Sequence, residues 1–274
     1  MNRFSLKVWI DGSGYPIVCL HGHPGSGRSM SVFTQHLSKR FHTIAPDLRG
    51  YGQSKTREDF VMLDHLDDLK GVLDQYGIDR ALILGWSLGG IVALELAARF
   101  PEKVSGLILI ATSARPWGDH PRISLQDNLY TGIAALLNII KPGWKWNIET
   151  FAKRSLFRHL IQQHTPETYR YIASDAVYAF LNTSAAANRA LTAAISRGAY
   201  QVENLEKITC PVLMLAGEHD RHINASSSCY TAEYLSNCEC KVYPQTAHLL
   251  PWEIPDQILS DIDQWLDRHP EAWR

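Results

Sequence analysis

Residues 81–99 read ALILGWSLGGIVALELAAR, and this stretch decides the fold. Ala81–Leu84 is a continuous apolar run, as a strand covered on both faces requires. Leu88–Arg99 reads as a helix. Between them Gly85-Trp86-Ser87-Leu88-Gly89, with Gly90 following, fits G-x-S-x-G. Strand and helix therefore meet in a tight turn that holds Ser87 in an unfavourable backbone conformation. Glycines on both sides let neighbouring backbone approach where a Cβ would clash. The exposed hydroxyl then stands at the positive end of the following helix. A five-residue pattern also arises by chance, so the strand–turn–helix setting carries the assignment.

The same alternation extends in both directions. Upstream, Phe4–Ile10, Ile17–Leu20 and Thr43–Ala45 read as strands, with helices at Ser29–Arg40 and Leu63–Tyr76. Downstream, Val104–Ile110, Val212–Ala216 and Lys241–Tyr243 read as strands, and Ala225–Leu235 and Asp256–Arg268 as helices. Apolar strands alternating with helices predict an α/β domain: a mostly parallel sheet covered by helices on both faces. The alternation breaks once, where residues 114–201 hold helical stretches and no strand. This predicts a core of residues 1–113 and 202–274 with an inserted helical lid.

The chain has 274 residues, 45% of them hydrophobic and 20% charged, which suffices for a substantial core. Its formal net charge of -1 gives no global attraction to nucleic acid or to an anionic membrane. No apolar run reaches the roughly 18 residues of a membrane span. The alternating first residues and five scattered cysteines (Cys19, Cys210, Cys229, Cys238, Cys240) predict a reduced, cytoplasmic protein without disulfides. Cys238 and Cys240 read as same-face strand residues. No residue set has metal-ligand spacing, so no metal is expected, and Gly12-Ser13-Gly14 and Gly25-Ser26-Gly27 lack the spacing of a phosphate cradle.

A serine hydroxyl is a weak nucleophile until an adjacent base, itself oriented by an acid, takes its proton. His248 follows the last strand and precedes the last helix, a position where α/β sites assemble. Asp220 follows Val212–Ala216 at another carboxyl end, with Glu218 as the nearer rival carboxylate. Two amides should receive the oxyanion: that of Leu88, next to the nucleophile, and that of His23 in His21-Gly22-His23-Pro24-Gly25. Charges in Pro46-Asp47-Leu48-Arg49-Gly50-Tyr51-Gly52 read as an ion pair supporting the site. His42, His65 and His159 lack convergent partners and read as surface residues.

The segments HGHPG (21–25), PDLRGYGQS (46–54), GWSLGG (85–90), GEHD (217–220) and TAHLLPWEIPD (246–256) together resemble the α/β-hydrolase superfamily, in its order and over nearly the whole chain except the middle third. The resemblance implies the α/β-hydrolase fold, cofactor-free hydrolysis, and Ser87, Asp220 and His248 in the triad positions. Because position 87 is serine, the likeness to members with aspartate there does not extend to their chemistry. Trp86 together with a basic lid is similar to the pimeloyl-acyl-carrier-protein methyl ester esterases, from which His23-Pro24-Gly25 departs.

The expected reaction is carboxylic ester hydrolysis through an acyl-Ser87 intermediate, on a small-molecule or carrier-linked acyl ester. Carbon–carbon bond or thioester hydrolysis by the same triad is the alternative among enzymes. A low-turnover ligand-binding receptor is the alternative outside them. Trp86, Trp117, Trp144, Trp146, Leu136 and Leu137 fit an apolar acyl pocket or, equally, a packed lid core. From Ser113 to Tyr200 ten Lys/Arg face five Asp/Glu, whereas the rest of the chain carries 17 against 23. Lys141, Lys145, Lys153, Arg154 and Arg158, opposed within that window only by Glu149, read as a solvated face or as a dock for an acidic acyl-carrier protein.

Overall fold

In a computed structural model, which describes residues 4–119, 121, 123–196 and 202–274, the apolar runs pair into one seven-stranded sheet. The strands are β1 (Val8–Asp11), β2 (Pro16–Leu20), β3 (His42–Pro46), β4 (Ala81–Trp86), β5 (Val104–Ile110), β6 (Val212–Gly217) and β7 (Cys238–Tyr243). Their order is β1-β3-β2-β4-β5-β6-β7, and only the β1–β3 pair is antiparallel. Helices α1 (Ser31–Leu37), α2 (Asp64–Gln75) and α3 (Leu88–Arg99) follow β2, β3 and β4. Between β5 and β6 lie α4 (Leu125–Ile140), α5 (Lys145–Thr150), α6 (Pro166–Tyr171), α7 (Val177–Leu181) and α8 (Ala185–Ser196). Helix α9 (Ala225–Glu233) follows β6, and α10 (Leu250–Glu253) and α11 (Pro255–Arg268) follow β7.

The period of two along each strand separates two cores. Val18, Leu20, Ile83, Leu107, Leu109 and Met214 pack with α2 and α3 on one face. Ile17, Cys19, Leu82, Leu84, Ile108 and Leu215 pack with α1 and α11 on the other. The chain crosses from β2 out to β3 and back to β4 on the opposite side of β2, so the strand order reverses between β2 and β4. Loops leaving the carboxyl ends of two such strands diverge and leave a crevice.

Helix α3 and strand β5 span the residues that the periodicity predicts; other ends shift. The first strand starts at Val8 rather than Phe4, because the segment before it joins the 46–54 loop. Lys7 N–H donates to Ser54 Oγ at 2.8 Å, and the Phe4 ring lies under the Arg49 guanidinium at 4.8 Å. The expected helix from Ser29 is a 3-10 turn over Gly27–Met30 and then α1, which ends at Leu37. Among the described residues no strand lies between β5 and β6, although 120, 122 and 197–201 of the expected 114–201 insertion fall outside them. The insertion is tied back to the core where Ser184 N–H donates to the Gly50 carbonyl at 2.8 Å and Ala186, Ala187 and Ala190 of α8 join the first core. Among the described residues no helix is long and apolar enough to cross a membrane.

Two readings of the sequence change here. Asp47 and Arg49 do not pair with each other: the Asp47 carboxylate accepts from Trp9 Nε1, Gly27 N and Gln53 N, while Arg49 grips Asp68 of α2 through two bonds of 2.5 and 2.8 Å. His65 and His159 are buried, not surface residues. His65 packs edge-on against Phe60 and beside Tyr51, and neither ring nitrogen finds a hydrogen-bond partner among the described residues. Burial, helped by the nearby His21 and Arg49, lowers its pKa to about 3.

A group that binds its proton less well when folded makes stability fall as pH drops from its unfolded value, 6.5, toward the folded one. His65 therefore contributes a slope of up to about 1.4 kcal/mol per pH unit across that window, and none above it. Denaturant titrations at several pH values from neutral down into the window should show a shallower acid loss in His65→Phe than in the wild type. Parallel losses in the two proteins would refute the assignment.

Candidate active site

Ser87 sits between β4 and α3 with φ 53° and ψ -116°, in the left-handed half of the map where a non-glycine residue is strained. Its peptide groups hold it there. Ser87 N–H donates to the Ile110 carbonyl at 2.9 Å, and its own carbonyl accepts from Gly90 N–H at 2.9 Å and from Thr112 Oγ1 at 2.8 Å. The neighbouring loop after β2 meets it across the crevice. A Cβ on Gly22 would stand 3.1 Å from Ser87 Cβ, so glycine there keeps the face of the hydroxyl open.

The loops after β6 and β7 bring Asp220 and His248 to the same edge. His248 Nε2 lies 3.0 Å from Ser87 Oγ, and its Nδ1 2.7 Å from Asp220 Oδ2. A carboxylate only accepts, so Nδ1 carries the proton and Nε2 is left to accept from the serine hydroxyl. Asp220 Oδ1 takes the amides of His222 and Ile223 at 2.8 and 3.0 Å, which fixes the carboxylate while Oδ2 faces the imidazole. Both Asp220 and His248 are buried. Glu218, the rival carboxylate, lies at the surface and accepts from Gln245 N–H instead.

The two amides expected to receive an oxyanion have no intramolecular acceptor among the described residues: Leu88 N–H, at the first position of α3, and His23 N–H. The loop carrying His23 is set by His21, which is fully buried. Leu48 N–H donates to His21 Nε2 at 3.0 Å, so Nδ1 bears the proton and donates to the Gly22 carbonyl at 2.8 Å. That is one neutral tautomer, and burial holds its pKa down to about 4. His23 itself is anchored through Nδ1, 3.0 Å from the buried Tyr51 hydroxyl.

The tryptophans divide. Trp86 lies beneath the site, where Nε1 donates to the His248 carbonyl at 3.3 Å and its ring meets Trp252 edge-on. Trp144 and Trp146 pack at a tilt with ring centres 4.9 Å apart, and half-exposed Trp146 packs edge-on against Phe151, so these ring contacts lie within the insertion. Of the five expected cations, Lys153 pairs with Glu149 at 2.5 Å and Arg158 with buried Asp127 at 2.8 Å, which leaves Lys141, Lys145 and Arg154 without a carboxylate among the described residues. Arg158 also lines a polar cleft of about 510 Å³ beside Asp220, together with Gln162, Arg221 and Asn224.

Two residues of the site escape sequence reasoning. The His222 ring faces the His248 ring at 5.3 Å. Glu253, buried at the end of α10, gathers three amides: Ala247 N–H on Oε1 at 2.8 Å, and Gln162 and Gln163 N–H on Oε2 at 2.8 and 2.6 Å. It thereby ties the insertion to the residue preceding His248. Burial raises its pKa, against the three amide bonds that lower it.

Residues 15–255 match the model of the alpha/beta hydrolase fold family. The chain is 26% identical to the pimeloyl-[acyl-carrier protein] methyl ester esterase of Aliivibrio fischeri over 97% of its own length and 98% of that protein's. To the enzyme of that name from Nitrosomonas europaea it is 23% identical, over 94% and 98% of the two chains. Among solved structures it is similar to a thermophilic esterase from Thermogutta terrifontis, with a TM-score of 0.71 and 25% identity over 96% of this chain and 93% of that one.

Glu253→Gln puts an amide donor where only acceptors serve, so at least one backbone N–H is left facing a donor. The variant should lose about 1–3 kcal/mol of stability and lower kcat more than it raises KM, because the His248 loop loosens. Denaturation together with steady-state kinetics on a small ester checks this; unchanged stability would mean that Glu253 does not hold the two segments together.

Proposed function

The chain belongs to the alpha/beta hydrolase fold family, and from that premise we propose that it is a serine hydrolase that cleaves carboxylic esters through an acyl-Ser87 intermediate. The observation that carries this reading is the continuous relay from Asp220 Oδ2 through His248 to Ser87 Oγ, at 2.7 and 3.0 Å, built on a strained serine. Esterase-named relatives of the same length support the hydrolase class.

In the proposed reaction His248 Nε2 takes the Ser87 proton as Oγ attacks the acyl carbon, and Asp220 stabilises the imidazolium that forms. The negative charge of the tetrahedral intermediate falls on the acyl oxygen, which accepts from the Leu88 amide at the start of α3 and from the His23 amide in the loop after β2. His248 then protonates the departing alcohol. A water activated by the same nitrogen attacks the acyl-serine, and collapse of the second intermediate frees the acid and restores the Ser87 hydroxyl. Residues 114–201 are read as a lid over this centre. The names of the relatives, together with Trp86 and the basic insertion, support a carrier-linked methyl ester as the substrate.

Ser87→Ala should lower kcat for a p-nitrophenyl ester by about 10⁶, and Ser87→Ala with His248→Ala should be scarcely worse, because the groups act as a unit. Asp220→Asn should cost on the order of 10⁴ by leaving His248 in the wrong tautomer, while Glu218→Gln changes little. Mass spectrometry should find a fluorophosphonate adduct on Ser87. An active Ser87→Ala protein would overturn the mechanism. A wild type with no turnover of esters, thioesters or dienone acids would favour a receptor.

A further inference from the structure

Helix α4 is built inside out. At 100° per residue, Leu125, Leu129, Leu136, Ile139 and Ile140 fall within a sector of about 100°. A stripe of that width ordinarily faces the core. Here these residues are 89%, 61%, 66%, 49% and 80% exposed. The opposite side, turned inward, carries Asp127, Thr131, Ala134 and Asn138.

The orientation is enforced by hydrogen bonds. Asp127 closes a capping box with Ser124 and pairs with Arg158. Thr131 Oγ1 accepts from Leu156 N–H at 3.0 Å. Asn138 donates to the Tyr169 carbonyl at 2.6 Å and accepts from Gly143 N–H at 2.9 Å, and Asn147 donates to the Ala134 carbonyl at 2.9 Å. Rolling the apolar row inward would strand these groups without partners, so the helix is held with its leucines in water. Contiguous exposed apolar surface of this kind marks an interaction site.

In the segment that follows α4, half-exposed Trp146 packs at a tilt against Trp144, with the Lys141 ammonium at the carboxyl end of α4 5.2 Å from the Trp144 ring. Lys145 lies in the same turn and has no carboxylate partner among the described residues. An apolar row with an aromatic and cationic border fits the boundary of a bilayer, where the row enters the acyl layer and the cations meet anionic headgroups. A second copy of the chain fits less well, since the outward row of α4 carries no carboxylate to meet those cations. An acidic carrier protein would use the cations but leave the leucines unexplained, and two of the five expected cations are already paired.

We propose that the outer face of α4 docks the protein on an anionic phospholipid surface, with α4 lying in the plane of the interface. This surface is independent of the triad, so Ser87→Ala should bind membranes as the wild type does. Co-sedimentation with vesicles of phosphatidylcholine, with and without one-third phosphatidylglycerol, tests it. The wild type should bind the anionic vesicles at least tenfold more tightly, and binding should weaken as ionic strength rises from about 0.05 to about 0.5 M. Leu129→Ser with Leu136→Ser should reduce binding to both vesicles at least tenfold, and Lys141→Glu with Lys145→Glu should abolish the anionic preference. Leu125→Ser with Ile140→Ser reads the same face should the first pair fold poorly. A wild type that sediments with neither vesicle overturns the proposal. So does a wild-type dimer that the leucine pair dissolves, or an acidic carrier protein whose binding these variants abolish while vesicle binding persists.

Discussion

Helix α3 and strand β2 meet so closely that only a hydrogen fits between them. A Cβ on Gly89 would stand 2.1 Å from the Leu20 carbonyl oxygen, and one on Gly85 2.5 Å from the carbonyl oxygen of Gly89. With those two hydrogens in place, α3 can start directly on the end of β4, and Ser87 is the single residue left to turn the chain. Its positive φ follows from that shortage of room, and the bonds from Ile110 and Thr112 make the strained state the only satisfied one. The serine hydroxyl is thereby lifted to the carboxyl edge of the sheet. The parallel strands β6 and β7 then deliver Asp220 and His248 to the same edge.

This constraint is local, which is why the sequence discloses it. Strand, turn and helix lie within residues 81–99, and glycines at fixed offsets signal the missing Cβ atoms. Asp220 and His248 were legible for a related reason: each follows an apolar strand, and only a short loop separates strand from residue. Contacts between distant segments leave no such trace. Glu253 binds amides about ninety residues upstream, and nothing in its own neighbourhood announces the two donors at Gln162 and Gln163. Asp47 looked like half of an ion pair because Arg49 is near in sequence, yet its partners are amides of Gly27 and Gln53 and the Trp9 indole. His65 had a readable signal. It precedes Leu69 and Leu73 of α2 by four and eight residues, which puts it on the edge of the buried stripe.

Three buried carboxylates, Asp47, Asp220 and Glu253, share one task. Each is surrounded by backbone N–H groups or an N–H ring donor, and each fastens a loop next to Ser87. Burying a carboxylate is costly unless its lone pairs are filled, and amides from irregular loops need acceptors as much as the carboxylate needs donors. Each need meets the other. Loops that would otherwise move are thereby held to the sheet, so that the His23 and Leu88 amides and the His248 ring keep their relative positions before any ligand arrives. Burial, and to a lesser degree the nearby Asp220 charge, raise the pKa of Glu253, and the amides act against both.

Helix α4 reverses the usual relation between burial and polarity, and this alters what the composition of the insertion means. Its leucines and tryptophans read, in sequence, as the wall of an acyl pocket or as packing for the lid; α4 assigns its own row to neither. The groups that α4 turns inward, the side chains of Asp127, Thr131 and Asn138 and the Ala134 carbonyl, are occupied in holding Arg158, Leu156, Tyr169, Gly143 and Asn147 in place. They are committed to the frame of the insertion and are not free to select an acyl chain. Under the proposed ester hydrolysis, the choice of acyl chain falls to the loops after β2, β6 and β7 and to the other inserted helices. Apolar surface that took no part in catalysis and touched nothing would only lower solubility, and the polar anchoring that keeps α4 turned outward would have no purpose. Four groups of α4, the Asp127 carboxylate, the Thr131 and Asn138 side chains and the Ala134 carbonyl, hold the row in water, and that is the reason to treat it as a surface for binding.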